Sequence, residues 1–172
     1  MKKTTITKLT KAALTIHKND RSGRPALIYQ VKGDDYTVAS NYFLVRFHDA
    51  ATFEAIREKI GAENMGPSDT LHQLAEDMFN NSDNVELKDT GILIEDGCGG
   101  FARFLAGDSF PVTINEAYLD IFSGEYDRIF GAGSTSAVIL GGKGVAIGIL
   151  PIRTNSQSQR IRRLRDLLDF YR

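Results

Sequence analysis

Cysteine is nearly missing from this 172-residue chain, where Cys98 stands alone. One thiol cannot close an intrachain disulfide or build a cysteine-based zinc site, and so small a supply points to a reducing compartment, the cytoplasm. Long apolar runs are also missing. No stretch approaches the roughly 18–20 residues that a membrane-spanning helix needs. Met1-Lys2-Lys3 is followed by Thr4 to Lys11, with two more lysines and no apolar run, so no export signal is expected. A strong charge of either sign is lacking too. With 21 basic and 22 acidic residues the net charge is −1, so nucleic-acid binding must come from a local basic patch and not from bulk charge. What is present fits a soluble globular chain: 42% hydrophobic and 25% charged residues. The length suits one domain, or one with an insertion, and a core that needs no covalent staples.

Catalytic patterns are missing as well. His17, His48 and His72 have no histidine partner at i, i+4, and no His-Glu-x-x-His string occurs. Scattered residues could still assemble a metal site through the fold. Gly131-Ala132-Gly133-Ser134-Thr135 and Gly141-Gly142-Lys143-Gly144 lack the spacing and strand-to-helix context of a phosphate loop, so they read as hairpin turns. Gly97-Cys98-Gly99-Gly100 reads the same way. Asp34-Asp35 and Glu95-Asp96 fall in turn-like stretches and are expected to be solvated or turn-forming. No enzyme, cofactor or resident metal is expected.

Along the chain, Thr4 to Thr7 reads as a short β-branched strand. Leu9, Ala12, Ala13 and Ile16 then form a helical stripe, with Lys8, Lys11 and Lys18 off it. After a turn cluster at Asn19 to Gly23, three strands are expected around Leu27–Lys32, Tyr36–Ala39 and Phe43–Phe47. The middle, 50–107, holds a short helix with Phe53, Ile56 and Ile60, capped by Thr52. A second helix, capped by Ser68, carries Leu71, Leu74, Ala75 and Met78 on one face. Short strands follow at Val85–Leu87, Ile92–Ile94 and Phe101–Leu105. This middle is either an insertion or a third helix-plus-strands motif. The last third reads FPVTINEAYLDIF and then YDRIFGAGSTSAVILGGKGVAIGILPIR: strand, helix, strand, strand, strand. Residues 154–159 form a polar linker, and Arg160 to Arg172 a final helix with Ile161, Leu164, Leu167, Leu168 and Tyr171 on its apolar face.

Asn115, Tyr118 and Leu119, then Pro151 and Arg153, match an Asn-x-x-Tyr-Leu helix start and a Pro-x-Arg strand end. In these residues the segment resembles the closing half of a bacterial DNA sliding-clamp domain, the processivity subunit of the replicative polymerase. Residues 4–48, with Arg24-Pro25-Ala26-Leu27 and Val38-Ala39-Ser40-Asn41, resemble the opening half. The resemblance implies an α+β fold of strand-helix-strand-strand-strand motifs over residues 1–153, with sheets on one side, helices on the other and the extra C-terminal helix beyond. It implies a non-enzymatic processivity factor that encircles double-stranded DNA as a homo-oligomer and tethers a polymerase or other replication protein. A stand-alone clamp of this size suggests a phage or mobile element.

The same resemblance gives Lys8, Lys11 and Lys18 a role against the DNA backbone, non-specific and salt-sensitive. An ordinary solvated helix face accounts for them equally, and Glu116 and Asp120 put negative charge where the clamp family is basic. Leu150, Pro151 and Ile152 are implied as positions of a pocket for partner peptides. Ile161, Leu164, Leu167, Leu168 and Tyr171 would support assembly, or cap their own domain. The alternative function is a clamp-fold interaction module, or clamp regulator, without encirclement.

Overall fold

A computed structural model describes residues 1–19, 27–66, 69–95, 100–142 and 144–152, with residues 12–19 and 55 described in the backbone alone. The first element, α1 (Lys3–Asn19), is helical through Thr4–Thr7, where the sequence predicts a strand. Two threonine hydroxyls bond inside the helix, Thr7 Oγ1 donating to the Lys3 carbonyl at 3.0 Å and Thr10 Oγ1 to the Ile6 carbonyl at 2.9 Å. β-branching is thereby tolerated. Thr5 and Leu9, one turn apart, are both buried, so the apolar stripe starts a turn earlier than Leu9.

Then comes an antiparallel meander of β1 (Ile28–Lys32), β2 (Asp35–Ala39) and β3 (Phe43–Phe47), as alternation predicts. Gly33, at φ 58°, makes the first turn, and the Ser40 hydroxyl accepts from the backbone of Tyr42 and Phe43 in the second. Next is α2 (Ala50–Ile60), capped by Asp49 and not by Thr52. The Asp49 carboxylate accepts from the Thr52 backbone N–H at 2.7 Å, and a left-handed Gly61 ends the helix. A two-residue β4 (Glu63–Asn64) and α3 (Thr70–Phe79) lead to β5 (Val85–Glu86), β6 (Lys88–Glu95) and β7 (Phe101–Ala106). Asp69 holds the N-cap position of α3, and Ser68 lies outside the described residues.

The last third runs β8 (Pro111–Asn115), α4 (Glu116–Ile121), β9 (Arg128–Gly131), β10 (Val138–Gly141) and β11 (Val145–Ile149), in the predicted order. Asn115 caps α4 by accepting from the Ala117 N–H at 2.9 Å. The glycines around Gly142 form a hairpin turn, where a Cβ on Gly142 would lie 1.8 Å from the Glu125 carbonyl oxygen.

The strands form an eight-stranded sheet, β4-β1-β2-β3-β11-β10-β9-β5, and a three-stranded one, β6-β7-β8. The large sheet is two meanders joined through their last strands, with Phe43 opposite Ile149, Val45 opposite Ile147 and Phe47 opposite Val145. Each meander follows a helix, α1 in one half and α4 in the other. The halves differ in that β8 precedes α4 while α1 has no leading strand. Among the described residues, the strands of 50–107 are divided between the two sheets. β4 extends the β1 edge in parallel, β5 extends the β9 edge, and β6 and β7 pair beside β8.

One face of the large sheet carries Val38, Phe43, Val45, Phe47, Val138, Leu140, Val145, Ile147 and Ile149. Against it pack Leu9 from α1, Phe53, Ile56 and Ile60 from α2, and Leu119, Ile121 and Phe122 from α4 and its end. The helices are not all on this side, as the sequence-based expectation had them. α3 lies on the opposite face, where Leu71 and Ala75 meet Ala39 and Leu44. The fold is α+β, and among the described residues no helix is long and apolar enough to cross a membrane.

Candidate functional site

The α3 stripe is wider than the sheet beneath it can cover. Leu71 and Ala75 are buried, but Leu74, on the flank, remains 47% exposed. Met78 reaches the sheet at β11, where residue 148 is glycine. A Cβ there would fall 1.9 Å from the Met78 sulfur, so the missing side chain is what admits the thioether. Between this flank and the ends of β10 and β11 lies a groove of about 250 Å³. Its apolar wall is Leu74, Met78, Ala137 and Leu150; Asp77 is the one charged side chain lining it. Leu150 is 48% exposed. Two large aliphatic side chains half in water across one depression form a contiguous apolar surface, which is unlike the scattered single leucines of an ordinary exterior.

Of the sequence-named pocket positions Leu150, Pro151 and Ile152, Leu150 lines this groove, while the other two are half-buried outside it. Their backbone has a different job. Leu150 N–H donates to the Tyr42 carbonyl, and Ile152 N–H to the Thr113 carbonyl, each at 2.9 Å. The segment after β11 therefore ties the start of β3 to β8 and links the two sheets. The sequence marked Leu74 and Met78 as a helical stripe without marking them as a wall. Leu71, Leu74, Ala75 and Met78 follow the ordinary i, i+3, i+4, i+7 spacing of a packed helix, so nothing in the sequence sets Leu74 apart as a wall.

A polar cluster fixes α3 in place. Asp35, at the start of β2, accepts from Arg46 Nε at 2.6 Å and from Arg46 Nη2 at 2.7 Å, and meets His72 Nδ1 at 2.5 Å. Arg46 also bonds Glu76, which in turn bonds Asn80. The His72 backbone N–H donates to the buried Gln30 side chain at 3.0 Å. Arg46 and Asp35 are mostly shielded, with side chains 15% and 14% exposed. Asp35 is thus an internal ion-pair partner, not the solvated turn residue that the Asp34-Asp35 pair suggested. The Arg46 hydrogen bonds hold the carboxyls of Asp35 and Glu76 below the usual carboxylate range, and these partners push the guanidinium pKa up in turn. Asp35, His72 and Glu76 have ligand atoms within 4.8 Å of one another and could hold a metal ion. Arg46 already supplies positive charge to both carboxylates, as a bound cation would.

On the helical face, Lys8 turns towards α4. Its Nζ lies 2.8 Å from the Asp120 carboxylate and donates to the Asp120 carbonyl at 2.8 Å, joining α1 to α4. Glu116 is paired with Arg103 at 2.5 Å, and Arg103 approaches Asp89 at 3.6 Å. The negative charges of α4 are therefore spent on internal partners. Lys11 is exposed on α1, and the side chain of Lys18 is outside the described residues. Beside this layer Tyr42 stacks on Tyr118 at 5.2 Å, and burial raises the Tyr118 hydroxyl to about 12. Cys98, Lys143, Arg153 and the tail positions Ile161, Leu164, Leu167, Leu168 and Tyr171 also lie outside the described residues.

No family model matches the chain, and neither a curated protein nor a solved structure matches it.

Proposed function

We propose that the chain is a protein-interaction module of clamp-like build, whose groove beside α3 takes a short apolar segment of a partner such as a replication protein. The observation that carries this reading is the half-exposed apolar wall of Leu74 and Leu150, which nothing else among the described residues covers. The groove is smaller than the roughly 300–1,000 Å³ of a drug-sized ligand site, so it suits one or two anchoring side chains of a peptide. With Asp77 as the one charge on its lining, it favours a peptide with basic flanks. Fluorescence anisotropy with labelled leucine-rich peptides tests this. A Leu74→Asp/Leu150→Asp variant should lose at least about tenfold in affinity while keeping its circular dichroism, because two apolar anchors are replaced by desolvated charge. Affinity unchanged by that pair would place the interaction elsewhere.

A second reading, the encircling processivity factor, is favoured by the two helix-plus-meander halves meeting at β3 and β11. It requires a closed symmetric oligomer. It also requires Lys11 and Lys18, with Lys8 released from Asp120, to contact DNA phosphates. Three such contacts give a slope of about −2.7 in log affinity against log salt. A salt-independent affinity, or native mass spectra with no ring in the presence of circular DNA, would remove this reading.

A further inference from the structure

Three donor side chains converge where α3 crosses the first meander. His72 and Glu76 stand one helical turn apart, at i and i+4, so α3 presents both on the side that meets the sheet. Asp35 opens β2 directly beneath them, and one ligand atom from each of the three lies within 4.8 Å of the others. A single nitrogen holds this space. Arg46 Nη2 donates to Asp35 Oδ2 at 2.7 Å and to Glu76 Oε1, and His72 Nδ1 lies 2.5 Å from the same Oδ2. That N–H group stands where a cation shared by the two carboxylates and the imidazole would stand. The floor of the cluster holds a group that these contacts leave unexplained. Thr37 is 1% exposed, and its hydroxyl has no hydrogen-bond partner among the described residues. The strand register sets Thr37 beside Gln30 on β1 and Arg46 on β3, and it shares the α3 face of β2 with Asp35. Both cross-strand neighbours reach the cluster, Gln30 through the His72 backbone and Arg46 through the two carboxylates. The hydroxyl is therefore aimed into the same space, and a buried hydroxyl calls for a partner.

We propose that Asp35, His72 and Glu76 form a zinc site, with the Arg46 guanidinium filling the ion's place when zinc is absent. One imidazole nitrogen and two carboxylate oxygens are donors that suit zinc, whereas magnesium and calcium take oxygen ligands and more of them. The ion takes over the position of Arg46 Nη2 and binds His72 Nδ1, Asp35 Oδ2 and Glu76 Oε1. Nδ1 is then bare, and the imidazole carries its hydrogen on Nε2. Zinc bonds of about 2.0–2.2 Å set tetrahedral donors about 3.4 Å apart, so the side chains adjust by on the order of 1 Å. Arg46 keeps the bond from Nε to Asp35 Oδ1, 2.6 Å long. The fourth position goes to a water, which donates to the Thr37 hydroxyl and supplies the partner it lacks. Entry is open from the helix side, where His72 and Glu76 are 27% and 36% exposed. Zinc and Arg46 thus compete for one place, and either one fastens α3 to β2.

The test uses the full chain, stripped of metal with a chelator and titrated with zinc chloride at pH 7 in a calorimeter. The unaltered chain should bind one zinc ion, and a His72→Asn/Glu76→Gln variant should bind it about a hundredfold more weakly, having lost two ligands. Arg46→Met should bind at least tenfold more tightly than the parent, because the competing N–H is gone. Zinc should also raise the urea midpoint of Arg46→Met more than that of the parent, since the ion binds the folded state alone. Arg46→Lys keeps a charge without the planar fork and should show a gain of the same sign, which serves if the methionine variant does not fold. Thr37→Val should weaken binding by about tenfold, as loss of a partner behind the ligands does. Equal affinity in the parent and the His72/Glu76 variant would move the ion elsewhere, for example to Cys98, and overturn the site. No gain in either Arg46 variant would overturn the exchange with the guanidinium. Magnesium or calcium bound as tightly as zinc would overturn the choice of ion, and no heat from zinc in the parent or the Arg46 variants would overturn the proposal outright.

Discussion

Arg46→Ala is expected to destabilise the fold by about 3 kcal/mol, the lower end of the cost of breaking a shielded ion pair. The guanidinium holds two carboxylates from different elements, Asp35 on β2 and Glu76 on α3. Without it those carboxylates face each other with only His72 nearby, and Asp35 is left shielded from water without its main partner. The penalty comes from orphaned charge, so removing the charge as well should restore much of it. An Asp35→Asn/Arg46→Met double variant is expected to be more stable than Arg46→Ala alone. Urea midpoints at pH 7 read this directly, and a double variant no better than the single would show that the charges are not the cause.

The pH response follows from the same contacts. Asp35 and Glu76 have carboxyl groups held below their ordinary range by hydrogen bonds from Arg46. Their contribution is therefore fully present above the unfolded-state values near pH 4, and is lost as pH falls through the lower folded-state values. In Arg46→Ala the two carboxylates repel, their proton affinity rises, and the acid loss should begin at a higher pH than in the parent.

Phe53→Ala is expected to cost about 4 kcal/mol, the middle of the range for deleting a buried aromatic side chain. Phe53 is fully buried, and its ring lies 5.6 Å from Tyr29, 5.2 Å from Tyr36 and 5.9 Å from Phe47. It is the point at which α2 grips β1, β2 and β3 together. Truncation removes the edge-to-face contact with Tyr29 and leaves a void that three strands would have to move to fill. Phe53→Leu should cost less than half as much. Equilibrium unfolding in urea, with an unchanged slope, measures both; a loss below about 1.5 kcal/mol for Phe53→Ala would mean that the site collapses easily.

The sequence was a good guide where one local rule decided the structure. Alternation and glycine turns announced β1 to β3 and β9 to β11, and Asn115 announced the cap of α4. It misled where two local rules competed. Thr4 to Thr7 has strand-forming side chains, yet Thr5 sits one helical turn before Leu9, and burial of that stripe won. Asp49 took the capping role from Thr52 because its carboxylate accepts the Thr52 N–H, a choice that both residues advertise equally in one dimension. The edge strand β4 is two residues long, too short for any periodic signal, whereas the equally short β5 lies within the strand expected at Val85–Leu87. The groove was half legible. Leu150 and the α3 stripe stood out separately, but their meeting depends on which end of the sheet α3 crosses, and on Gly148 admitting Met78. The Asp35–His72 contact bridges 37 positions and leaves no mark in spacing.

The seam between β3 and β11 sets a timetable for synthesis. Val45 pairs with Ile147, so the first meander leaves the ribosome with its inner edge bare and stays so while on the order of 100 further residues are added; at about 5–20 residues per second this lasts roughly 5–20 s. Throughout that interval β3 presents Phe43, Val45 and Phe47 along an open hydrogen-bonding edge, and the same edge on a neighbouring nascent chain is an equally good partner. Soluble yield is therefore governed by how soon Val145–Ile149 arrives rather than by the strength of the finished sheet. Slow codons between residues 48 and 145 would lengthen the exposure, whereas a circular permutant that places β9–β11 before β1 would close the seam as soon as β3 emerged.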